Sequence, residues 1–220
     1  AAGLRDAIAI ACGGFYTVAL KSDGTVWAWG ENTNGQLGDG TSIFRDTPVP
    51  VIKLSDVTAI ACGRAHTAAV KSDGTVWTWG LNSYGQLGDG TTVSKDTPVQ
   101  VVGLTGVIAV ACARAHTVAL KSDGTVWTWG DNYNGQLGDG AITYGRLTPA
   151  DVIGLSSGGA AITTGDIFTC AITSREEAMC WGFNTYGQLG DSTRTTRLVP
   201  VYVFGLSSGM AAIDAGHQHT

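Results

Sequence analysis

The sequence predicts an all-β fold, a β-propeller built from about four blades, each of which is a four-stranded antiparallel sheet. The first observation is a repeat: Trp29, Trp79, Trp129 and Trp181 each precede a glycine, at spacings of 50, 50 and 52 residues. The second is the alternation of apolar and polar residues in short runs between Gly-rich turns, without a sustained helical period. A repeat of this length made of short strands is typical of propeller blades.

The repeats divide a single propeller domain or fragment that spans residues 1–220. Because the chain begins and ends at the same place within the unit, its two ends duplicate a strand and do not complement each other. We therefore interpret it as part of a longer ring, and we expect that its unclosed ends can self-associate. The approximate repeats are 7–56, 57–106, 107–158 and 159–211, and a fifth starts at 212–220.

The second repeat shows the four predicted strands in order. Val57–Cys62 is the first strand, and Thr67–Lys71 and Thr75–Trp79 alternate at period two, as second and third strands do. Between these two lies the triplet 72–74 (Ser-Asp-Gly), which suits a three-residue hairpin loop whose glycine takes the left-handed conformation. Pro98–Val102 is predicted to be a short edge strand, because an edge strand tolerates proline.

Residues that recur in every repeat are interpreted as the structural frame. The four repeated tryptophans have a large apolar area and are predicted to be buried between blades. Cys12, Cys62 and Cys112 also share one position, so we expect them to be small buried side chains separated by whole blades.

A second recurring position carries histidine in three of its five copies. We expect a packed residue that hydrogen-bonds nearby backbone, and not a metal ligand, because phenylalanine and neutral tyrosine are not usual ligands. No metal site and no cofactor are expected. The residues at this position are Tyr16, His66, His116, Phe168 and His219.

Three segments of the second repeat, taken in order, resemble the repeat of the regulator of chromosome condensation family. They are 63–67 (Gly-Arg-Ala-His-Thr), 78–80 (Thr-Trp-Gly) and 82–89 (Asn-Ser-Tyr-Gly-Gln-Leu-Gly-Asp), and the resemblance covers essentially the whole chain. It implies a seven-bladed ring. It also implies that residues of the Gly-x-x-His loops face a surface that contacts a small GTPase.

The position two residues before the histidine changes size and charge freely between repeats. Loops held by a rigid scaffold are where partners are recognised, so this position is the candidate partner-binding site; the alternative is a solvated loop. The candidates are Arg64, Arg114, Asp166 and His217, with Gly14 in the first repeat.

The predicted function is non-catalytic: a protein-binding or scaffold propeller that recognises a protein partner through loops on one face. No cluster of carboxylates stands outside the repeat pattern, so no catalytic residues are expected. Two alternatives stay open. One is guanine-nucleotide exchange on a small GTPase, which the family resemblance implies, and the other is an architectural module of a larger surface or filament protein.

Composition and charge argue against two classes of partner. The net charge is −5, and the 13 lysines and arginines form no run, so the sequence does not predict binding to nucleic acid. No stretch approaches 18 consecutive apolar residues, so membrane insertion is not expected either.

Cys170 and Cys180 occur only in the fourth repeat. In the second repeat the three-residue loop is closed by Lys71 and Thr75, so residues that face each other across the hairpin have numbers that sum to 146. Ala68 and Thr78, the counterparts of the two cysteines, meet this condition and therefore face each other. We expect a disulfide, and therefore an extracellular or cell-surface protein; reduced thiols would indicate a cytoplasmic one. The fourth hairpin reads Ser-Arg-Glu at 174–176, so Glu176 must become left-handed or the loop must change length.

Overall fold

The computed structural model describes residues 4–216 and residue 219. These residues form sixteen strands and no helix, in four separate four-stranded sheets. In each sheet the strands pair antiparallel in the order in which the chain supplies them. The predicted all-β propeller is confirmed, as an unclosed arc of four blades. In this part of the chain, no helix is available that could cross a membrane.

The blades are numbered one to four in chain order. Blade one contains β1 (Ala7–Cys12), β2 (Tyr16–Lys21), β3 (Val26–Gly30) and β4 (Arg45–Pro50). Blade two contains β5 (Val57–Cys62), β6 (His66–Lys71), β7 (Val76–Gly80) and β8 (Lys95–Gln100). Blade three contains β9 (Val107–Cys112), β10 (His116–Lys121), β11 (Val126–Asn132) and β12 (Thr143–Asp151). Blade four contains β13 (Gly159–Thr164), β14 (Phe168–Thr173), β15 (Ala178–Gly182) and β16 (Arg197–Tyr202).

The predicted strands of blade two are present with small shifts. The first is placed as predicted, the second starts one residue earlier, and the third is shifted by one residue at both ends. The fourth, β8, starts three residues before Pro98 and ends at Gln100, because β8 already pairs at Lys95 with Gly80 of β7. Gly74 has a φ of 77°, so the three-residue turn is left-handed at its glycine as expected.

The first strands of successive blades lie side by side, β1 beside β5, β5 beside β9 and β9 beside β13. They therefore line the axis of the arc. Cys12 is exposed, and Cys62 and Cys112 are half-buried. The prediction that these three cysteines are buried holds only in part. All three line one cavity at the ends of the first strands, and Cys12 is exposed there, whereas Cys62 also packs against the core between blades one and two.

Trp79 of β7 packs against the preceding blade, beside Leu37 and Val51. Its indole nitrogen donates a 2.9 Å hydrogen bond to the main-chain carbonyl of Gln36. The hydroxyl of Thr67 donates to the same oxygen at 3.0 Å. Blade two is thus joined to blade one through a buried indole and a buried hydroxyl.

This contact recurs at both later junctions. Trp129 donates to Gln86, and Trp181 donates to Gln136, at 2.8 and 2.9 Å. All three indoles are fully buried. Trp29 is only half-buried, so the prediction of burial was wrong for this residue. The other three indoles are covered by the preceding blade, and in this chain no blade precedes blade one.

The register of blade four places Cys170 directly opposite Cys180, and the two form a disulfide. The predicted pairing is therefore confirmed. The turn keeps its three residues, and Glu176 takes the left-handed conformation with a φ of 61°. Both cysteines are fully buried on the side of blade four that faces away from blade three, together with Phe168 and Leu189.

Candidate protein-binding face

One end of the arc is formed by two sets of loops. Because the strands of each blade are antiparallel, the turn after the first strand and the long loop after the third strand leave the blade at the same end. In blade one they are joined by a hydrogen bond from Glu31 N to Phe15 O of 2.9 Å. We call this end the loop face. It comprises the turns 13–15, 63–65, 113–115 and 165–167 and the long loops 31–44, 81–94, 133–142 and 183–196.

Three of the four predicted partner-binding residues lie together on the loop face. Arg64, Arg114 and Asp166 line a cavity of about 550 Å³ at the mouth of the channel. Both arginines are exposed, and Asp166 is half-buried. The fourth candidate, His217, lies outside the described residues. That these residues bind a partner stays a prediction.

The turns that carry the arginines are tied to each other across the blades. Gly14 N donates to the carbonyl of Arg64 at 3.1 Å, and Arg64 N donates to the carbonyl of Ala113 at 3.2 Å. The main chain at this position is therefore held by its neighbours on both sides. The Arg64 side chain projects from a fixed base, which lowers the conformational entropy lost when a partner binds.

The recurring histidines lie behind these turns and are fully buried. His66 Nε2 lies 3.0 Å from the hydroxyl oxygen of Thr117 in the next blade. That hydroxyl donates its hydrogen to the carbonyl of Gln86, so His66 must be the donor, with its proton on Nε2. His116 and Thr169 repeat the arrangement at 2.9 Å.

The expected hydrogen bond to the backbone is therefore present for Tyr16, whose hydroxyl donates to the main-chain carbonyls of Gly63 and His66. His66 and His116 differ, because each is hydrogen-bonded to the hydroxyl of a threonine in the next blade. Burial lowers the pKa of His66 to about 4 and that of His116 to about 3, so both are neutral at pH 7. Among the residues that the structure describes, no group of three or more His, Cys, Asp or Glu side chains could hold a metal ion.

The long loops are held by a repeated side-chain network. In blade one, buried Asn32 donates through Nδ2 to the carboxylate of Asp39 and to the carbonyls of Thr41 and Ile43, and its Oδ1 accepts from Leu37 N. Asp39 also forms an ion pair with Arg45 at 2.6 Å. Although burial raises the pKa of Asp39, the hydrogen bonds from Thr41, Arg45 and Asn32 outweigh it and lower the pKa below its ordinary value.

Three tyrosines from two blades form an aromatic cluster on the loop face. The ring centroids of Tyr84 and Tyr144 are 5.3 Å apart, and those of Tyr133 and Tyr144 are 5.5 Å apart. Tyr133 and Tyr144 remain 49% and 57% exposed. This cluster was not predicted from the sequence. The available signal was that tyrosine occupies variable positions inside otherwise recurring loops, since Tyr84 and Tyr133 stand where blade one has Asn34 and Thr33.

A groove of about 290 Å³ connects the arginines with the tyrosines, since Arg64, Arg114 and Tyr84 all line it. Phe15, which is 78% exposed, and Leu81 add apolar area to the same groove. We call the side chains of this groove and of the tyrosine cluster, which are exposed except for the half-buried Leu81 and Tyr84, the arginine–tyrosine surface. Its members are Phe15, Arg64, Leu81, Tyr84, Arg114, Tyr133 and Tyr144.

Asp131 lies at the edge of this surface and is 9% exposed. Its carboxylate accepts a 3.1 Å hydrogen bond from Tyr133 N. Burial raises the pKa of Asp131, and the nearby Arg114 guanidinium opposes the shift. A carboxyl group therefore stands beside Arg114. Glu31 lines the same groove, so the arginine–tyrosine surface is not a purely basic patch.

Comparison with known proteins identifies the repeat. The family model of the RCC1-like domain matches residues 2–220. The RCC1 domain-containing protein RUG3, mitochondrial, of Arabidopsis thaliana is 44% identical over 45 residues, which are 20% of this chain and 10% of that protein. The E3 ubiquitin-protein ligase HERC2 of Homo sapiens is 50% identical over 38 residues, 17% of this chain and 1% of that protein.

Solved structures show the same fold over most of the chain. Yeast RCC1 (Prp20), in its complex with Kap60, matches with a TM-score of 0.83 at 21% identity, covering 96% of this chain and 52% of Prp20. Human WBSCR16 matches with a TM-score of 0.81 at 24% identity, covering 90% of this chain and 52% of that protein. The chain thus spans about half the length of these propellers and at most a tenth of the curated relatives.

Proposed function

The chain belongs to the RCC1-like domain family, and from this premise we propose that it is a non-catalytic recognition module that binds a protein partner through the arginine–tyrosine surface. The observation that carries the proposal is the composition of that surface: two exposed arginines share one groove with an exposed phenylalanine and a tyrosine cluster. Arginine and tyrosine are the residue types enriched at binding hot spots.

The way the surface is supported also favours recognition. The arginines stand on turns that are hydrogen-bonded across three blades, and the tyrosines stand on loops pinned by the buried Asn82 and Asn132. A preorganised surface loses little entropy on binding, which is what a protein interface requires.

Relatives support the class of partner. Prp20 has been solved bound to Kap60, and a second structural study of it concerns its binding to Gsp1p and histones. These are partners of Prp20. For this chain we propose a folded protein as partner, and the mixed charge of the arginine–tyrosine surface does not favour nucleic acid.

We further propose that the protein works in an oxidising compartment, at the cell surface or outside the cell. The buried disulfide between Cys170 and Cys180 supports this, since disulfides persist in oxidising compartments and are rare in the cytosol.

The test begins by identifying the partner with a photo-crosslinking amino acid. It is placed at Tyr144 on the loop face or at Arg175, an exposed hairpin residue at the opposite end of blade four, in an extract of the cells that make the protein. We expect crosslinks from position 144 and none from position 175.

The purified partner is then titrated against variants. Arg64→Ala with Arg114→Ala, and Tyr84→Ala with Tyr144→Ala, should each weaken binding by roughly tenfold or more, whereas Arg175→Ala should not change it. Unchanged affinity in both double variants would contradict the proposal. If the partner is a small GTPase, the rate at which it releases a labelled guanine nucleotide is measured with and without this chain. Faster release in its presence would indicate exchange, and an unchanged rate would indicate binding alone.

A further inference from the structure

Arg64 and Arg114 differ from the arginines that hold the long loops. Arg45, Arg146 and Arg197 each form an ion pair of 2.6 or 2.7 Å with an aspartate of their own blade. Among residues 4–216 and 219, the guanidinium groups of Arg64 and Arg114 form neither an ion pair nor a hydrogen bond. Both groups therefore remain available to an acceptor that a partner supplies.

The two available arginines do not have the same surroundings. Arg114 acts electrostatically on the carboxyl group of Asp131, which lies beside it in blade three. The counterpart of Asp131 in blade two is Leu81, so Arg64 has no carboxyl group at the corresponding place in its own blade. Glu31 of blade one lines the groove as well, but within the described part of the chain no ion pair joins it to Arg64. Arg64 is therefore the less compensated of the two charges.

Arg64 also stands among apolar side chains. A Cβ on Gly14 would lie 3.4 Å from the Cγ atom of Arg64, so the stem of this arginine lies over the turn of blade one. Phe15, Leu81 and Tyr84 line the same groove of about 290 Å³. The groove is centred on blade two, which has a neighbouring blade on each side. It thus offers one guanidinium beside an apolar surface.

We propose that this groove binds an extended segment of the partner in which an aspartate or glutamate lies beside a large apolar side chain. The carboxylate pairs with the planar guanidinium of Arg64, a geometry that allows two parallel hydrogen bonds. The apolar side chain packs on Leu81 and Tyr84. A phosphate group carries more than one negative charge and fits this groove less well, because Arg114 already has a carboxyl group beside it. The inference rests on the proposed function and adds the chemistry of the partner.

The test uses random peptides displayed on phage and selected on the immobilised full chain. We expect the selected sequences to share an acidic residue next to a phenylalanine, tyrosine, tryptophan or leucine. A synthetic, fluorescein-labelled copy of a selected peptide is then titrated by fluorescence polarisation. Replacing its acidic residue by the corresponding amide should weaken binding by roughly tenfold or more, because a charge-assisted hydrogen bond becomes a neutral one. Rising salt should also weaken binding of the acidic peptide.

Matched variants of the chain assign the effect to Arg64. Leu81→Asp copies blade three, which folds with an aspartate at this position, and it places a carboxyl group beside Arg64. Leu81→Asn removes the same apolar contact without adding charge, so Leu81→Asp should bind the acidic peptide several-fold more weakly than Leu81→Asn. Arg64→Gln should weaken binding by roughly tenfold and remove most of its salt dependence. Arg175→Gln, at an exposed hairpin residue on the opposite end, is the control and should bind like the wild type.

Three results would each overturn the inference: selected peptides without a shared acidic residue, an amide peptide that binds as tightly as the acidic one, or equal binding by Leu81→Asp and Leu81→Asn. Circular dichroism establishes that the variants are folded, and Arg64→Gln keeps the test valid if Leu81→Asp is not. The outcome is separate from that of the proposed function. A partner that crosslinks from position 144 and needs the tyrosines, but is insensitive to Arg64→Gln, would leave the recognition module intact and overturn only the acidic segment.

Discussion

The indole of Trp79 is fully buried against blade one and donates a 2.9 Å hydrogen bond to the main-chain carbonyl of Gln36, 43 residues earlier in the chain. This contact joins two sheets that share no strand. Its recurrence at each junction makes the arc a nearest-neighbour array, in which the stability of a blade depends on the blades beside it.

Replacing Trp79 by alanine should therefore lower the free energy of unfolding by about 3–5 kcal/mol, because it empties a fully buried site and leaves the junction without its largest side chain. Trp29→Ala makes the same change where the indole is half-buried and should have less than half this effect. Urea unfolding of both variants at a protein concentration that keeps them monomeric measures the difference. Equal losses would show that the junction contact is not what stabilises the arc.

The two buried histidines should make stability depend on pH. Their folded-state pKa values, about 4 for His66 and about 3 for His116, lie below the ordinary value of 6.5, so the unfolded chain binds protons that the folded chain does not. Stability is then full above pH 6.5 and falls as the pH drops toward 4, by about 2 kcal/mol per histidine at pH 5.

Phe168 fills the same position in blade four and supplies the matched variant. His66→Phe with His116→Phe should flatten the fall in stability between pH 6.5 and pH 5, because nothing at these positions then titrates. The hydroxyls of Thr117 and Thr169 keep their acceptors at Gln86 and Gln136. A pH dependence as steep as that of the wild type, followed by thermal or urea unfolding, would assign it to other groups.

Reducing the disulfide between Cys170 and Cys180 should lower the free energy of unfolding by roughly 2–3 kcal/mol, the value expected for a closed loop of this length. The blade-matched control is Cys170→Val with Cys180→Thr, which copies Val118 and Thr128 of blade three. This variant should fold, and a thiol reductant should leave its stability unchanged. If reductant alters both proteins equally, the loss does not come from this disulfide.

Glu176 holds a left-handed conformation that glycine occupies in the other three hairpins. Glu176→Gly should raise the free energy of unfolding by about 0.5–1 kcal/mol, since the relief of backbone strain exceeds the entropy that glycine adds to the unfolded chain. Arg175→Gly, one residue earlier and without a positive φ, should be neutral or destabilising. The reverse change, Gly74→Glu, should destabilise, because a Cβ there would lie 2.9 Å from Gly106 N.

The blade, its order of strands and the pairing of Cys170 with Cys180 could all be predicted from the sequence. These features depend on contacts within a hairpin, where the turn sets the register for residues about ten positions apart. The missing glycine predicted either a left-handed Glu176 or a loop of different length, and the structure shows the first of these. Repetition inside the chain also separated the frame from the variable positions, which is why Arg64 and Arg114 are predicted to bind a partner.

Which of the repeated residues are buried could not be predicted from the sequence, because it depends on packing between blades. Trp29 and Trp79 have the same local sequence, yet one is half-buried and the other is fully buried, because burial comes from the neighbouring blade and not from the hairpin. Cys12, Cys62 and Cys112 likewise share one position of the repeat, yet Cys12 is exposed and the other two are half-buried. Tyr84 and Tyr144 meet from different blades, 60 residues apart in the chain, and no local pattern encodes such a contact.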